Sequence, residues 1–269
     1  MCYRLERYIF NDGLLNDGID ATYIIHLENN GRLDDIMNQL TEYHSTNIVY
    51  ILYNKGYKLC NKEQNIVLPA DDLIDAFLYC FKHADENNYN NILILEDDFI
   101  FNPEIKEIKH INNINEYCTT NINNKFILSL GGIPYISIPY NSYLYYTLST
   151  GTHSVIYSKL MREIILNDDI KNIKDWDAYL CFNKLQYYTP LCYQLFPETE
   201  NNKNWGENYG VFKYLMILPK YIFKLLNLDI QVEPGYSIMY IISKLFFLFL
   251  LFLLIYLTLY RQIQTIILK

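Results

Sequence analysis

Three consecutive acids, Glu96, Asp97 and Asp98, end an apolar run at residues 92–95, and apolar sequence resumes at once in Phe99, Ile100 and Phe101. Carboxylates crowded at the tip of a strand repel one another unless a cation sits among them. None of the flanking residues is basic, so the neutralising charge must come from elsewhere. A divalent ion is the simplest source: Mg²⁺ or Mn²⁺ takes one or two carboxylates and completes its shell with water and substrate phosphates. Asp98 is the first choice as metal ligand, Asp97 the second and Glu96 the third. Alternate strand residues share a face, so Glu96 and Asp98 lie side by side unless a turn begins at Asp97. The competing reading is a cluster of helix-capping or solvated acids, and the apolar residues on both sides count against it.

The elements that must position these acids follow from hydrophobic periodicity. Residues 21–27 (ATYIIHL) read as a first strand, and Leu33, Ile36, Met37, Leu40 and Tyr43 then recur at helical spacing. Residues 47–53 (NIVYILY) form a second strand, and Leu73, Ile74, Phe77, Leu78 and Phe81 mark a second amphipathic helix before the acid-tipped strand. Asn102-Pro103-Glu104 is a helix start, a capping residue followed by proline and an acid. Further strands are expected at residues 126–132, 142–148 and 154–159, with a helix across residues 160–166. Residues 1–20 read as an irregular lead-in. This alternation predicts an α/β fold with βαβ units, a mixed and mostly parallel sheet, and flanking helices. Ligands of such open sheets bind beyond the carboxyl ends of the strands, which is where the three acids fall.

The two ends of the chain differ. The first residues lack the apolar core of a signal peptide. Between residues 238 and 260 only Ser243, Lys244 and Thr258 interrupt an apolar run, which is long enough for a transmembrane helix. Phe and Leu on every face argue against a core helix, and Lys244 is near enough to one end to snorkel. The span is placed at residues 237–261, before a short tail at 262–269. Residues 207–236 read as a membrane-proximal linker. Within it, residues 211–228, broken by Pro219 and by Lys213, Lys220 and Lys224, read either as an interfacial helix or as core-packing helices. The pattern is that of a tail-anchored membrane protein.

Composition narrows the partners. A net charge of −8 argues against nucleic acid. None of the cysteines at 2, 60, 80, 118, 181 and 192 stands in a C-x-x-C pair, so neither a zinc site nor a disulfide framework is expected. Scattered thiols, together with the absence of an N-x-S/T sequon from an asparagine-rich chain, place the bulk of the protein on the cytosolic side.

The segment LILEDDFIF resembles the hydrophobic strand and acid-x-acid motif of glycosyltransferases with the GT-A fold. More narrowly, the chain resembles glycosyltransferase family 25, the lipooligosaccharide and procollagen galactosyltransferase group. YIIHLENNGR (residues 23–32) is similar to that family's opening strand and loop, with asparagines in place of most basic residues. GTHSVIYSK (residues 151–159), DWDAYL (175–180) and TPLCYQ (189–194) are similar to later family segments, in the same order, so the likeness covers residues 21–196. The family's conserved segment before the acids is not recognisable; Lys82, His83 and Asp85 are the polar residues in its place.

The resemblance implies a metal-dependent glycosyltransferase domain over residues 21–206. It would move a hexose such as galactose or glucose from a nucleotide-diphosphate sugar to a hydroxyl on a glycan, protein or lipid, with inversion. Mn²⁺ or Mg²⁺ would be bound by Asp98 and Asp97, with Glu96 beside the donor diphosphate. Asp177 would be the catalytic base and Asp175 the fallback, or either could be a helix cap. His153 would complete the metal site or hold a phosphate, or serve structure alone. Gly151 would permit close backbone approach. Asn29, Asn30 and Arg32 would meet the nucleotide, although Arg32 also suits a solvated helix start. Trp205, in a polar loop at residues 196–206, would stack on a sugar or lie in a linker. Two other classes remain: an inactive membrane-anchored binding protein that kept the fold, and a nucleotidyltransferase, for which ENNGRLDD is a poor glycine-rich loop.

Overall fold

The computed structural model describes residues 1–63, 65–168, 173, 175–182, 184–196 and 220–267. In chain order the strands are β1 (Tyr3–Ile9), β2 (Ala21–Leu27), β3 (Ile48–Asn54), β4 (Asn91–Glu96), β5 (Phe99–Phe101), β6 (Ile127–Ser129), β7 (Ile133–Pro139), β8 (Leu144–Thr150), β9 (Ser154–Ser158), β10 (Lys184–Tyr187) and β11 (Cys192–Gln194). The helices are α1 (Leu33–Glu42), α2 (Pro69–Glu86), α3 (Ile108–Thr120), α4 (Lys159–Asn167), α5 (Trp176–Leu180) and α6 (Gly235–Ile267).

Strands β2, β3 and β4 are almost wholly apolar because both of their faces are covered. On one face Ile24, Ile51, Leu93 and Leu95 pack with Ile36 and Leu40 of α1 and with Ile114 and Tyr117 of α3. On the other, Tyr23, Ile25, Ile92 and Ile94 meet Phe77 and Phe81 of α2, Ile165 of α4 and Trp176 of α5. The result is a three-layer α/β structure around a nine-stranded sheet of order β1-β3-β2-β4-β9-β6-β10-β8-β7. Strands β2, β3, β4, β6, β7 and β10 point one way, and β1, β8 and β9 the other. A small second sheet pairs β5 with β11.

The order β3-β2-β4 has a direct consequence. The chain leaves β2 through α1 to one side and returns over it through α2 to β4 on the other. The loops that follow β2 and β4 therefore open a crevice between neighbouring strands, the switch point at which doubly wound sheets bind ligands.

Several expectations need correction. Residues 1–20 are not an irregular lead-in, because β1 pairs antiparallel with β3 as the edge of the sheet. Its pattern was obscured by Arg4, Glu6 and Arg7, charges that keep an edge strand from recruiting another chain. Cys2 and Cys60 form a disulfide that ties this strand to the loop after β3, whereas Cys80, Cys118 and Cys192 are buried thiols and Cys181 is partly buried. The thiol-based ground for placing the protein in a reducing compartment is thereby withdrawn. The linker reading of residues 207–236 can be compared with the structure only from residue 220 onward. There Phe223 and Leu228 are buried with Ile133, Tyr193 and Tyr236, so this part packs against the domain.

Helix α6 is the one helix among the described residues that is long and apolar enough to cross a membrane. It begins before the expected span, and its first turns belong to the domain. Tyr236, Met239, Tyr240 and Ser243 are buried, and Ser243 Oγ lies 2.8 Å from Ser137 Oγ of β7. Lys244 does not snorkel; its Nζ donates to the Tyr188 carbonyl at 2.9 Å. From Leu245 onward the apolar side chains are largely exposed.

Candidate active site

A cavity of about 1020 Å³ fills the crevice above β2, β3 and β4. Its floor includes Glu96, Asp97 and Asp98 from the end of β4, Thr152 from the turn before β9, and Asp175 and Asp177 at the start of α5. Arg32, Lys55, Lys58, Lys220 and Lys224 also line it, together with Glu28, Asp72 and Asp229, and with Leu195, Phe196 and Phe223 as apolar surface. The arrangement sets the largely buried carboxylates at the end of β4 beside more exposed lysines.

Strand β4 ends at Glu96 and the chain turns at Asp97 and Asp98 before β5. The charge that the flanking sequence could not supply comes from Arg32, in the loop after β2. Its Nη1 donates to Asp97 Oδ1 at 2.6 Å and to Asp98 Oδ2 at 3.0 Å. Asp97, 9% exposed, also accepts from the Leu27 backbone N–H at 3.0 Å and from Asn30 Nδ2, with His26 Nδ1 at 3.5 Å. Burial alone would raise its pKa, but the nearby His26 ring and the bonds from Arg32 and Leu27 outweigh burial and hold it below the usual carboxylate range.

The other acids are less well compensated. Burial and the charges of Asp98 and Asp177 push Glu96 well above its usual value, although Thr152 Oγ1 donates to its Oε1 at 2.8 Å. Burial raises Asp98 as well, against the pull of Arg32 and of Gln194, whose Nε2 donates to both Oδ atoms at 2.9 Å. Asp177 is raised by burial to about 6, with Lys184 and the Gly151 N–H pulling the other way. Gly151, at φ +92, adopts a backbone conformation that suits glycine. Its N–H donates to Asp177 Oδ1 at 3.0 Å while its carbonyl accepts from the buried Lys184 Nζ at 3.1 Å.

The structure brings Asn30, Arg32, Glu96, Asp97, Asp98, Asp175 and Asp177 to one cavity, and leaves two expected members outside it. Asn29 is exposed at a left-handed turn with φ 63 and does not line the cavity. His153 is 0% exposed, and its Nε2–H donates to the Cys192 carbonyl at 3.2 Å. Burial lowers its pKa to about 4. A neutral core histidine of this kind is no phosphate ligand. Asp175 is the N-cap of α5, accepting from Ala178 N at 2.8 Å. Trp205 lies outside the described residues. His83 and Asp85 are engaged elsewhere, with Tyr23 and the buried Arg162 respectively. Gln194, Thr152, Lys55 and Lys184 were missed as site residues; the β11 motif was the one signal that could have pointed to Gln194.

A divalent ion fits this donor set in part. Asp97 is occupied by its own protein partners, whereas Asp98 and Glu96 offer neighbouring hard oxygens whose mutual repulsion is only partly offset by Arg32, Gln194 and Thr152. Among the described residues no three His, Cys, Asp or Glu side chains enclose a metal by themselves. A site completed by one or two carboxylates, water and substrate phosphates has no need of such a cage.

No protein-family model and no curated protein matches the sequence. Among solved structures, one match is described as the crystal structure of a glycosyltransferase involved in the glycosylation of the major capsid of PBCV-1. It is 14% identical, the match covers 60% of this chain and 72% of that one, and the TM-score is 0.34. At that distance nothing about donor or acceptor transfers to this chain.

Proposed function

We propose that the protein is a glycosyltransferase, anchored in a membrane by α6, that moves a hexosyl group from a nucleotide-diphosphate donor to a hydroxyl acceptor. The observation that carries this reading is the cavity itself: largely buried carboxylates beside more exposed lysines, at the switch point between β2 and β4. The acceptor class proposed is a glycan, protein or lipid, and the narrower likeness to glycosyltransferase family 25 rests on the sequence motifs alone.

Asp98 and Glu96 would hold Mn²⁺ or Mg²⁺, and the ion, when bound, neutralises charge building on the leaving diphosphate. Arg32 is placed to leave its carboxylate partners and meet a phosphate, since its guanidinium is partly exposed on the cavity wall. Asp177 suits the base: with its pKa raised to about 6 it is ionised at neutral pH yet more basic than an ordinary aspartate. In an inverting transfer it takes the proton of the acceptor hydroxyl as that oxygen attacks the anomeric carbon and the nucleoside diphosphate departs. Lys184 and the Gly151 N–H keep the carboxylate aimed and charged.

One observation favours the second reading, a binding protein without turnover. Arg32 closes over both Asp97 and Asp98, as a self-sufficient ion pair would. The deciding experiment offers a panel of UDP-sugars with Mn²⁺ and measures UDP release by wild type and Asp98→Asn. Turnover that the substitution removes supports transfer; donor binding with no turnover supports the binding protein.

A further inference from the structure

The docking of α6 changes what is left to cross a membrane. One face of residues 236–244 is held by the domain through Tyr236, Met239, Tyr240, Ser243 and Lys244, while Ile241 and Ile242 stay exposed on the other, so the apolar stretch free of the domain on every face runs only from Leu245 to Tyr260, before Arg261. Those residues rise roughly 24 Å, against a hydrocarbon core about 30 Å thick. A helix short by that margin draws whatever is fixed to its end toward the bilayer.

What is fixed there is the hairpin of β7 and β8. Ile133, at the start of β7, belongs to the buried cluster with Tyr236, and Ser137, near its end, bonds Ser243, so strand and helix advance in the same direction. Lys244 Nζ sits 5.0 Å from the ring centroid of Tyr145 on β8. Beyond that level the hairpin exposes Ile138 at 45%, Tyr140 at 46% and Tyr146 at 51%, with Pro139 exposed beside them. The Tyr140 and Tyr146 rings pack edge to face, 5.1 Å apart. Tyrosine with apolar neighbours is the composition of a protein surface at headgroup level, where the ring is buried and the hydroxyl stays wet.

We infer that the β7–β8 hairpin is a second membrane contact, with Ile138, Pro139, Tyr140 and Tyr146 seated in the headgroup region beside the emerging helix. The inference rests on α6 spanning the bilayer, and the test separates the two claims. The full chain is reconstituted in phosphatidylcholine nanodiscs, with lipids brominated either near the headgroup or deep in the acyl chain. Tyr140→Trp and Tyr146→Trp report on the hairpin, Tyr256→Trp on the helix and Ile9→Trp, on the opposite edge of the sheet, on background. We expect the two hairpin tryptophans to lose fluorescence with shallow bromines, Tyr256→Trp to lose it with deep ones, and Ile9→Trp to match wild type with either. If Tyr256→Trp is quenched while both hairpin variants stay at background, the hairpin contact is wrong and the span stands. If Tyr256→Trp is not quenched by deep bromines, the span fails and the hairpin contact with it. Two hairpin positions are used so that one misfolded variant does not decide the matter.

Discussion

Arg32 is 66 positions from Asp98 and bonds it all the same. The acids were legible in the sequence as a charge problem because three of them end an apolar strand. Their protein counter-ion was not, because only the pairing of β2 with β4 brings the two loops together. Asp97 is spoken for by that solution, so Asp98→Asn is the informative substitution. It should abolish transfer and weaken donor binding in Mn²⁺ while the protein stays folded, as donor titration, a rate assay and a thermal melt would read out. Asp177→Asn should leave donor affinity near wild type and lower transfer by roughly 10²–10⁴-fold, the usual contribution of a general base. Wild-type transfer should rise with pH through about 6 as Asp177 ionises, and the variant should lose that limb. The same acids predict how stability varies. Glu96, Asp98 and Asp177 are raised above their ordinary values, so the folded state binds more protons there than the unfolded chain does. Stability from these groups is therefore greatest in mild acid and is lost as pH rises through the folded values. In chelator, the melting temperature should fall from about pH 5 to about pH 7.5, and Mn²⁺ should restore part of the loss at the upper end. A flat profile with no response to Mn²⁺ would remove both the charge argument and the metal.

At the scale of elements, the sequence was most readable where one period ran unbroken. Strands β2 and β3 and the stripes of α1 and α2 stand where periodicity placed them, because burial on both faces of the sheet leaves apolar runs that no loop imitates. Strand β7 was not foreseen, since Pro134 and Pro139 mark it as a poor strand and only an edge position tolerates them. The edge strand β1 was hidden by its charges. The Cys2–Cys60 bridge, between that strand and the loop after β3, joins residues that sequence spacing gives no reason to pair. It holds a cavity wall, because Lys55, Gly56, Tyr57, Lys58 and Leu59 lie within the bridged loop. Lys62, buried beside Asp72 of α2 at 2.5 Å, pins the same loop from below. Cys2→Ser with Cys60→Ser should cost about 2–4 kcal/mol of stability. It should also weaken donor binding more than it slows turnover at saturating donor. Equal losses in both would mean that the loop does not touch the donor.

For the whole molecule, α6 is two structures in one helix, and truncations should separate them. Removing residues 245–269 should release a folded protein from membranes. Removing residues 235–269 should also strip Tyr236, Met239 and Tyr240 from the core, at about 1.5–3 kcal/mol for each buried side chain, and give an unstable or aggregated product. Extraction at alkaline pH followed by a thermal melt distinguishes the two products; equal stability would mean that the docked turns add nothing. The docking carries a further consequence, of reach. Tyr236 bonds the backbone of Gln194 on the cavity wall, and Leu245 begins the exposed helix nine residues later, on the order of 15 Å along the axis. No joint separates the two. With α6 in a bilayer, the cavity would ride at one set altitude above the lipid, like a stylus on a rigid arm. Acceptors would then be sorted by stature before chemistry, since a hydroxyl lying flush with the headgroups or borne far above them would never come level with Asp177.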